Sequence, residues 1–348
     1  MEFERVTLND IAHKLGISMT TVTRALNNKP KVSDDMRKLI IETAKEIGYK
    51  PNKTAQSLAR NEIVIGVLFS EEPKEFSTYL ERGIIDGFNQ LMDYKVRSIL
   101  LPYKNEICTD QINKCLNELL KKRVDGIVFS PSRKYEEYMD IVKQIEDNGI
   151  PILFLLNIIE GVKMAGSVGL NGVTTGKMAA QFLNISLQDR KNVAIFLSSK
   201  LQSIHRSCMD GFEMEAQKHN MKIMGVFETF DDNDIAYHIT KKVLGDYPEL
   251  NGIYVTSNNS VGVCECLEDI GRVNDIVVVG QDLYPGLVEK LKSGSLNMTL
   301  FQDQEEEGRL AVKMLFNYIT DTEKKMLKKI MTPVIILTSN VDDYADKY

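Results

Sequence analysis

Residues 7–26, TLNDIAHKLGISMTTVTRAL, divide at Gly16 into two short runs of helical period. Thr7 with Asp10 three positions later has capping-box spacing, Leu8, Ile11, Ala12 and Leu15 share one face, and Gly16 can close the helix in a left-handed turn. Ser18 then caps a second helix, expected to run to about Asn27. It hides Val22, Ala25 and Leu26 and leaves Met19, Thr20, Thr21, Thr23 and Arg24 for solvent or a partner. Ser33, followed by Asp34 and Asp35, opens a third helix with Met36, Ile40, Ala44 and Ile47 inside, ending at Gly48. Two helices joined through a glycine turn make a helix-turn-helix pattern, whose second helix offers hydroxyls, methyls and a guanidinium to base edges in a major groove. A three-helix packing module with a polar surface would satisfy the same periodicity.

The charge distribution favours the first reading. Residues 1–60 hold 11 Lys+Arg against 7 Asp+Glu, a net of +4, so the remaining 288 residues of the 348 hold 32 against 42, a net of −10. A small basic head on a large acidic body suits a head that meets nucleic acid, although scatter over 60 residues could produce the same difference. Next comes PNKTAQSLAR, residues 51–60, in which Asn52 can cap only a turn or two of helix, too short to be stable alone in water. The segment is either a helix that forms only with a partner or an interdomain linker with Leu58 packed on the body.

From Ile63 onward, short apolar runs such as IVIGVLF (63–69), GIVFS (126–130), PILFLLN (151–157), NVAIFL (192–197), GIYVT (252–256) and IVVVG (276–280) alternate with amphipathic helical stretches. That is the plan of parallel α/β sheets with helices between the strands, and about 290 residues exceed one doubly wound domain and fit two similar lobes. In such sheets a ligand sits beyond the carboxyl ends of the strands. The rule nominates Phe69, Ser70, Ser130, Asn157, Ser198, Ser257, Asn258 and Asp282, with Asp282 foremost because a charged acceptor follows a buried strand directly. A Ser or Asn at a strand end also caps helices, so each of the others can be explained by structure alone.

The stretch VTLNDIAHKLGISMTTVTRALNNKPKVSDDMRKLIIETAKEIGYKPNKTAQSLA, residues 6–59, resembles the DNA-binding head of LacI/GalR-type transcriptional regulators. The matching segments are Thr7 to Ala12, Gly16 to Arg24, Val32 and Ser33, Gly48 to Asn52, and Ala55 to Leu58. The resemblance implies DNA contacts at Thr7, Ser18, Met19, Thr20, Thr21, Thr23, Arg24, Asn27, Ser33, Asn52, Lys53 and Ala55, with Leu58 as a minor-groove wedge at the centre of a bent operator. With lower specificity, residues 62–340 resemble the periplasmic-binding-protein body of that family, two lobes that close on a sugar or similar effector. Here the resemblance adds Phe76, Arg206 and Gln302 to Ser70, Ser130, Asn157, Asn258 and Asp282 as expected effector contacts. Two positions depart from the pattern: Asn171 stands where the family has an Asp, and Cys208 where it usually has its ligand Arg. A common hexose therefore cannot be assumed.

The expected organisation is an all-α head at 1–50, a hinge helix or linker at 51–61 and an α/β body at 62–348. The N-lobe is expected to take about 62–158 and 302–322, and the C-lobe about 159–300 and 328–340. The expected partners are double-stranded operator DNA, a small-molecule effector and a second copy of the chain. Lys29, Lys31 and Lys53 are available for phosphates. No cofactor, metal or membrane is expected. No apolar run reaches the roughly 18 residues of a membrane span, and MEFERVTLND has no apolar signal region, so the cytoplasm is the expected location. The five cysteines (108, 115, 208, 264, 266) form no CxxC pair, and His13, His205, His219 and His238 have no metal-binding spacing. No P-loop, GxSxG or GxGxxG lies at a strand-to-helix turn, and GSVGLNG (166–172) fails the dinucleotide spacing, so an enzyme has little support. An exported sugar-binding protein would share the body, and an architectural DNA-binding protein whose body only dimerises would share the head. The polar tail TSNVDDYADKY lacks the heptads of a tetramerising coiled coil.

Overall fold

The structure, a computed structural model, describes residues 7–26, 30–47, 49, 62–104, 109–132, 134–189 and 191–345. It falls into two compact units, Met1–Glu62 with Met92–Val96, and Ile63–Leu91 with Arg97–Tyr348.

In the first unit, α1 (Leu8–Leu15) starts at Thr7, whose backbone N–H and hydroxyl both donate to Asp10 Oδ2, at 2.7 and 2.8 Å. These bonds hold the Asp10 carboxyl below its ordinary pKa. Gly16 closes the helix at φ 65°, a conformation that costs glycine nothing. Helix α2 (Met19–Leu26) is capped by Ser18, whose Oγ accepts from the Thr21 N–H at 3.2 Å. Helix α3 (Asp34–Glu46) is capped by Ser33, whose side chain accepts from the Met36 N–H. Ile11, Ala12, Val22, Ala25, Ile40 and Ala44 form the core, with Leu26, Met36 and Ile47 packed on it half-buried. Arg37 donates to the Ala25 carbonyl at 3.0 Å, placing a cation at the α2 C-terminus, where the helix dipole favours it.

The second unit contains two six-stranded sheets. Its elements in chain order are β1 (Ile63–Leu68), α4 (Lys74–Asn89), β2 (Val96–Leu100), α5 (Thr109–Lys121), β3 (Gly126–Phe129), α6 (Met139–Asp147), β4 (Ile152–Leu155) and β5 (Gly166–Leu170). Then follow α7 (Gly172–Leu187), β6 (Asn192–Leu197), α8 (Ser203–Lys218), β7 (Lys222–Glu228), α9 (Asn233–Asp246), β8 (Gly252–Val255), α10 (Ser260–Asp269), β9 (Val277–Gln281), α11 (Pro285–Ser293) and β10 (Met298–Phe301). The chain closes with α12 (Gln304–Thr320), β11 (Leu327–Met331), β12 (Val334–Ile336) and α13 (Asp342–Ala345). The sheet orders are β11-β5-β4-β3-β1-β2 and β12-β10-β9-β8-β6-β7. The pairings resolved in the first sheet are parallel, and in the second only β12 runs antiparallel, against β10.

The inner order 2-1-3-4-5 repeats as 7-6-8-9-10, so the lobes are topological copies although no sequence repeat is evident. Strands β1, β3, β4 and β8 are buried throughout, which explains their unbroken apolar runs. The chain crosses from the first sheet to the second after β5, not at 158, because β5 (GSVGL) pairs with β4. The first lobe also takes β11 (LKKIM) from the segment assigned by sequence to the C-lobe. Neither strand reads as an apolar run: β5 has two glycines and a serine, while β11 is an edge strand with four of five residues exposed and two lysines that protect its open side. Helix α12 packs on α4, β3, β4 and β5 of the first lobe. Helices α7 and α8 pack closely at Gly176, whose lack of a side chain permits it: a Cβ there would lie 1.9 Å from the Cys208 carbonyl oxygen. Among the described residues no helix is long and apolar enough to cross a membrane.

Candidate functional site

A strand order that reverses on either side of a central strand leaves a crevice at its carboxyl edge, because the crossover helices on the two sides lie on opposite faces. The body has two such switch points, between β1 and β3 and between β6 and β8. A cleft of about 750 Å³, part of it open to solvent, lies where the two meet. From the first lobe, Ser70 and Ser130 flank the β1/β3 switch, with Glu72, Pro73, Phe76 and Leu80 at the start of α4 and Leu156, Asn157 and Leu170 after β4 and on β5. From the second come Gln202, Ile204 and His205 at the start of α8, Asp231 after β7, Thr256, Ser257 and Asn258 after β8, Gln281 at the end of β9 with Asp282 following it, and Gln302 after β10.

Asp282 is the most constrained of these. Its backbone sits at φ 69°, held by its N–H donating to the Leu300 carbonyl at 3.0 Å and by the Thr299 hydroxyl donating to its own carbonyl at 2.7 Å. Gln302 Nε2 and Gln304 Nε2 both donate to Oδ1, at 2.8 and 3.2 Å. Burial nevertheless dominates and pushes its carboxyl up to about 7, with nearby Asp231 adding to the rise and the two amides opposing it. Close to it, Glu307 in the first turn of α12 is fully buried with neither carboxyl oxygen hydrogen-bonded, and burial pushes its carboxyl well above the ordinary carboxylate range.

The remaining polar groups are fixed from below. His205 Nδ1 pairs with the Thr256 hydroxyl at 2.8 Å, Asn157 Oδ1 accepts from Ser203 at 3.2 Å, Ser198 donates to Asp231, and Tyr284 donates to the Asn258 carbonyl. Asn258 Oδ1 and Gln281 Oε1 are buried acceptors with no hydrogen-bond partner, at residues only 7% and 3% exposed.

Of the residues expected to meet an effector, the cleft brings together Ser70, Phe76, Ser130, Asn157, Asn258, Asp282 and Gln302. Arg206 does not join them. Its helix turns His205 inward and leaves Arg206 exposed one residue later. Asn171 caps α7, accepting from the Thr174 N–H at 3.1 Å, and does not line the cleft. Cys208 is a core thiol beside Tyr254, driven up to about 12 by burial. Asp231 was legible by the same strand-end rule applied to β7. His205, Thr256 and Gln281 carry no such signal, since ligand-facing and core-facing positions alternate there without a change of residue class.

On the head, Thr7, Ser18, Met19, Thr20 and Arg24 are exposed, as are Lys31 and Ser33, while Thr21 and Thr23 are half-buried. The Thr23 hydroxyl is occupied by the Met19 carbonyl at 2.8 Å. Asn27, Lys29, Asn52, Lys53, Ala55 and Leu58, and with them the hinge at 51–61, lie outside the described residues.

A helix-turn-helix head joined in one chain to a two-lobed α/β body with a ligand-sized cleft defines a transcriptional regulator of the ligand-binding class. Residues 7–52 match the bacterial regulatory proteins of the lacI family, and residues 65–324 match the periplasmic binding protein domain. Catabolite control protein A of Priestia megaterium is 28% identical over 285 residues, 80% of this chain and 82% of that one. The HTH-type transcriptional regulator MalR of Streptococcus pneumoniae is 24% identical over 333 residues, 91% and 94% of the two chains. An ABC transporter solute binding protein from Bacillus halodurans C-125 with bound myo-inositol shares the fold, with a TM-score of 0.74 at 22% identity over 83% of this chain and 99% of that one. The chain belongs to the periplasmic binding protein domain family over residues 65–324 and carries a lacI-family domain at residues 7–52.

Proposed function

We propose that the protein is a cytoplasmic repressor that binds a palindromic operator as a homodimer, with its grip on DNA set by a small-molecule effector, a sugar or sugar derivative, held between the lobes. The observation that carries this reading is the cleft itself, a ligand-sized space lined by polar strand ends from both lobes of a chain that also bears a helix-turn-helix. The protein works by binding and acts on no covalent bond.

Ser18, Met19, Thr20, Thr21, Thr23 and Arg24 read the major groove. Thr7, Asn27, Ser33, Asn52, Lys53 and Ala55 hold the backbone, with Leu58 wedged at the dyad. One short reading helix offers too little contact area for a tight complex, so two heads on paired half-sites are required. In the body, Asp282 and Gln302 accept and donate to ligand hydroxyls from the second lobe, Ser70, Ser130 and Asn157 close from the first, and Phe76 covers an apolar ring face. Closure of the lobes shifts the start of the body relative to residues 51–61, a coupling of about 1–3 kcal/mol in systems of this kind.

The test is thermal unfolding of the full chain against free sugars, polyols, phosphorylated sugars, sugar acids and nucleobases, repeated on Asp282→Ala. A ligand at a hundred times its Kd stabilises by about 2.7 kcal/mol, and the shift should vanish in the variant. A panel that shifts neither protein favours a body that only dimerises.

A further inference from the structure

The cleft is polar in one sense only. Its lining carries three carboxyl groups, Asp282, Asp231 and Glu72, and among the described residues no lysine or arginine lines it. The one basic ring present, His205, has its Nδ1 engaged with Thr256. Two of the lining residues, Asn258 and Gln281, each more than nine-tenths buried, carry side-chain acceptors, Oδ1 and Oε1, with no hydrogen-bond partner. A buried acceptor without a donor is costly, and a ligand that supplies N–H or O–H groups at those points recovers the cost. The position where the family resemblance implies a ligand-binding guanidinium is instead the core thiol Cys208, and Arg206 faces away. An anionic ligand would thus meet carboxyl groups and bare acceptors, with no described cation to offset the loss of its hydration.

We infer that the effector is a hydroxyl-rich ligand bearing an ammonium group, of the amino sugar class, and that phosphorylated sugars and sugar acids are rejected. The inference rests on the reading of this cleft as the effector site. Asp231 and Asp282 face the ammonium group, the bare amide oxygens of Asn258 and Gln281 take donated N–H or O–H bonds, and the apolar side chains of Phe76 and Ile204 cover the C–H face of the ring.

The test measures Kd by calorimetry for matched sets of hexoses and pentoses, each as the neutral sugar, the amino derivative and the phosphate or uronate, on the full chain and on Asp231→Asn and Asp282→Asn. Both variants keep the side-chain shape, and asparagine tolerates the positive φ at each position (58° and 69°). The amino member of the best-bound set should bind about tenfold or more tighter than its neutral parent, as an opposite charge within a few ångströms implies. Each variant should lose most of that ratio, read as the Kd of the neutral parent over the Kd of the amine within the same protein. A phosphate or uronate that binds as well as its neutral parent overturns the inference, and so does an amino derivative that binds no better than the parent in the wild type. Binding of neutral sugars alone, with no preference for the amine, overturns the inference but leaves the effector reading standing. If no member of any set binds, the effector reading falls, and the inference falls with it.

Discussion

Replacing Asp282 by asparagine should change how stability depends on pH. The carboxyl titrates near 3.8 in a solvated chain and at about 7 in the fold, so the folded state holds its proton more tightly. A group shifted in this direction favours folding at low pH, and the benefit is lost as pH rises from the unfolded value through the folded one. Linkage between those two values gives a loss of about 3 kcal/mol from pH 5 to pH 8.5, about 5 °C in melting temperature for a body of this size. Asparagine keeps an oxygen for Gln302 and Gln304 and accepts the left-handed backbone, so the fold survives the change. Denaturant titrations of both proteins over that range should show the variant gaining on wild type by about 3 kcal/mol as pH rises. Parallel stability curves would refute the reasoning, since they would mean that Asp282 pays no penalty for ionising where it sits.

Three further outcomes concern the head, the α7–α8 contact and the buried thiols. Arg24→Ala should weaken binding to an operator duplex by about tenfold or more in a gel-shift titration, with the melting of the body unchanged, because Arg24 is an exposed side chain on the reading helix. Gly176→Ala should destabilise the second lobe by about 1–3 kcal/mol in chemical unfolding, because the new methyl would lie 1.9 Å from a backbone carbonyl of the adjacent helix. Cys208 and Cys264, both buried and both driven up to about 12, should resist iodoacetamide at pH 8 in the native protein and react once it is unfolded, as read by mass spectrometry.

The head was readable almost residue by residue. Its caps and stops are local chemistry, and Thr7, Gly16, Ser18 and Ser33 each do in the structure what their neighbours in sequence require. What escaped was the contact from Arg37 to the Ala25 carbonyl, which depends on how two helices cross. In the body the central strands were legible because burial on both faces leaves no room for polar side chains. Strands β5 and β11 were not, since a glycine-rich strand and a charged edge strand owe their place to pairing, and pairing is not written as hydrophobicity. The rule that ligands sit at strand ends found Asp282, but it could not tell that α8 turns His205 inward and Arg206 outward, because that depends on where the helix begins.

The central claim is that occupancy of the cleft controls the head's hold on DNA. Its most direct test is the affinity for a duplex selected by the full chain from random DNA, read by fluorescence anisotropy with and without a saturating sugar or amino sugar that raises the melting temperature. The account predicts a palindromic duplex whose affinity changes about fivefold or more with ligand in the wild type and stays constant in Asp282→Ala. An affinity that ignores the bound ligand in the wild type would contradict it.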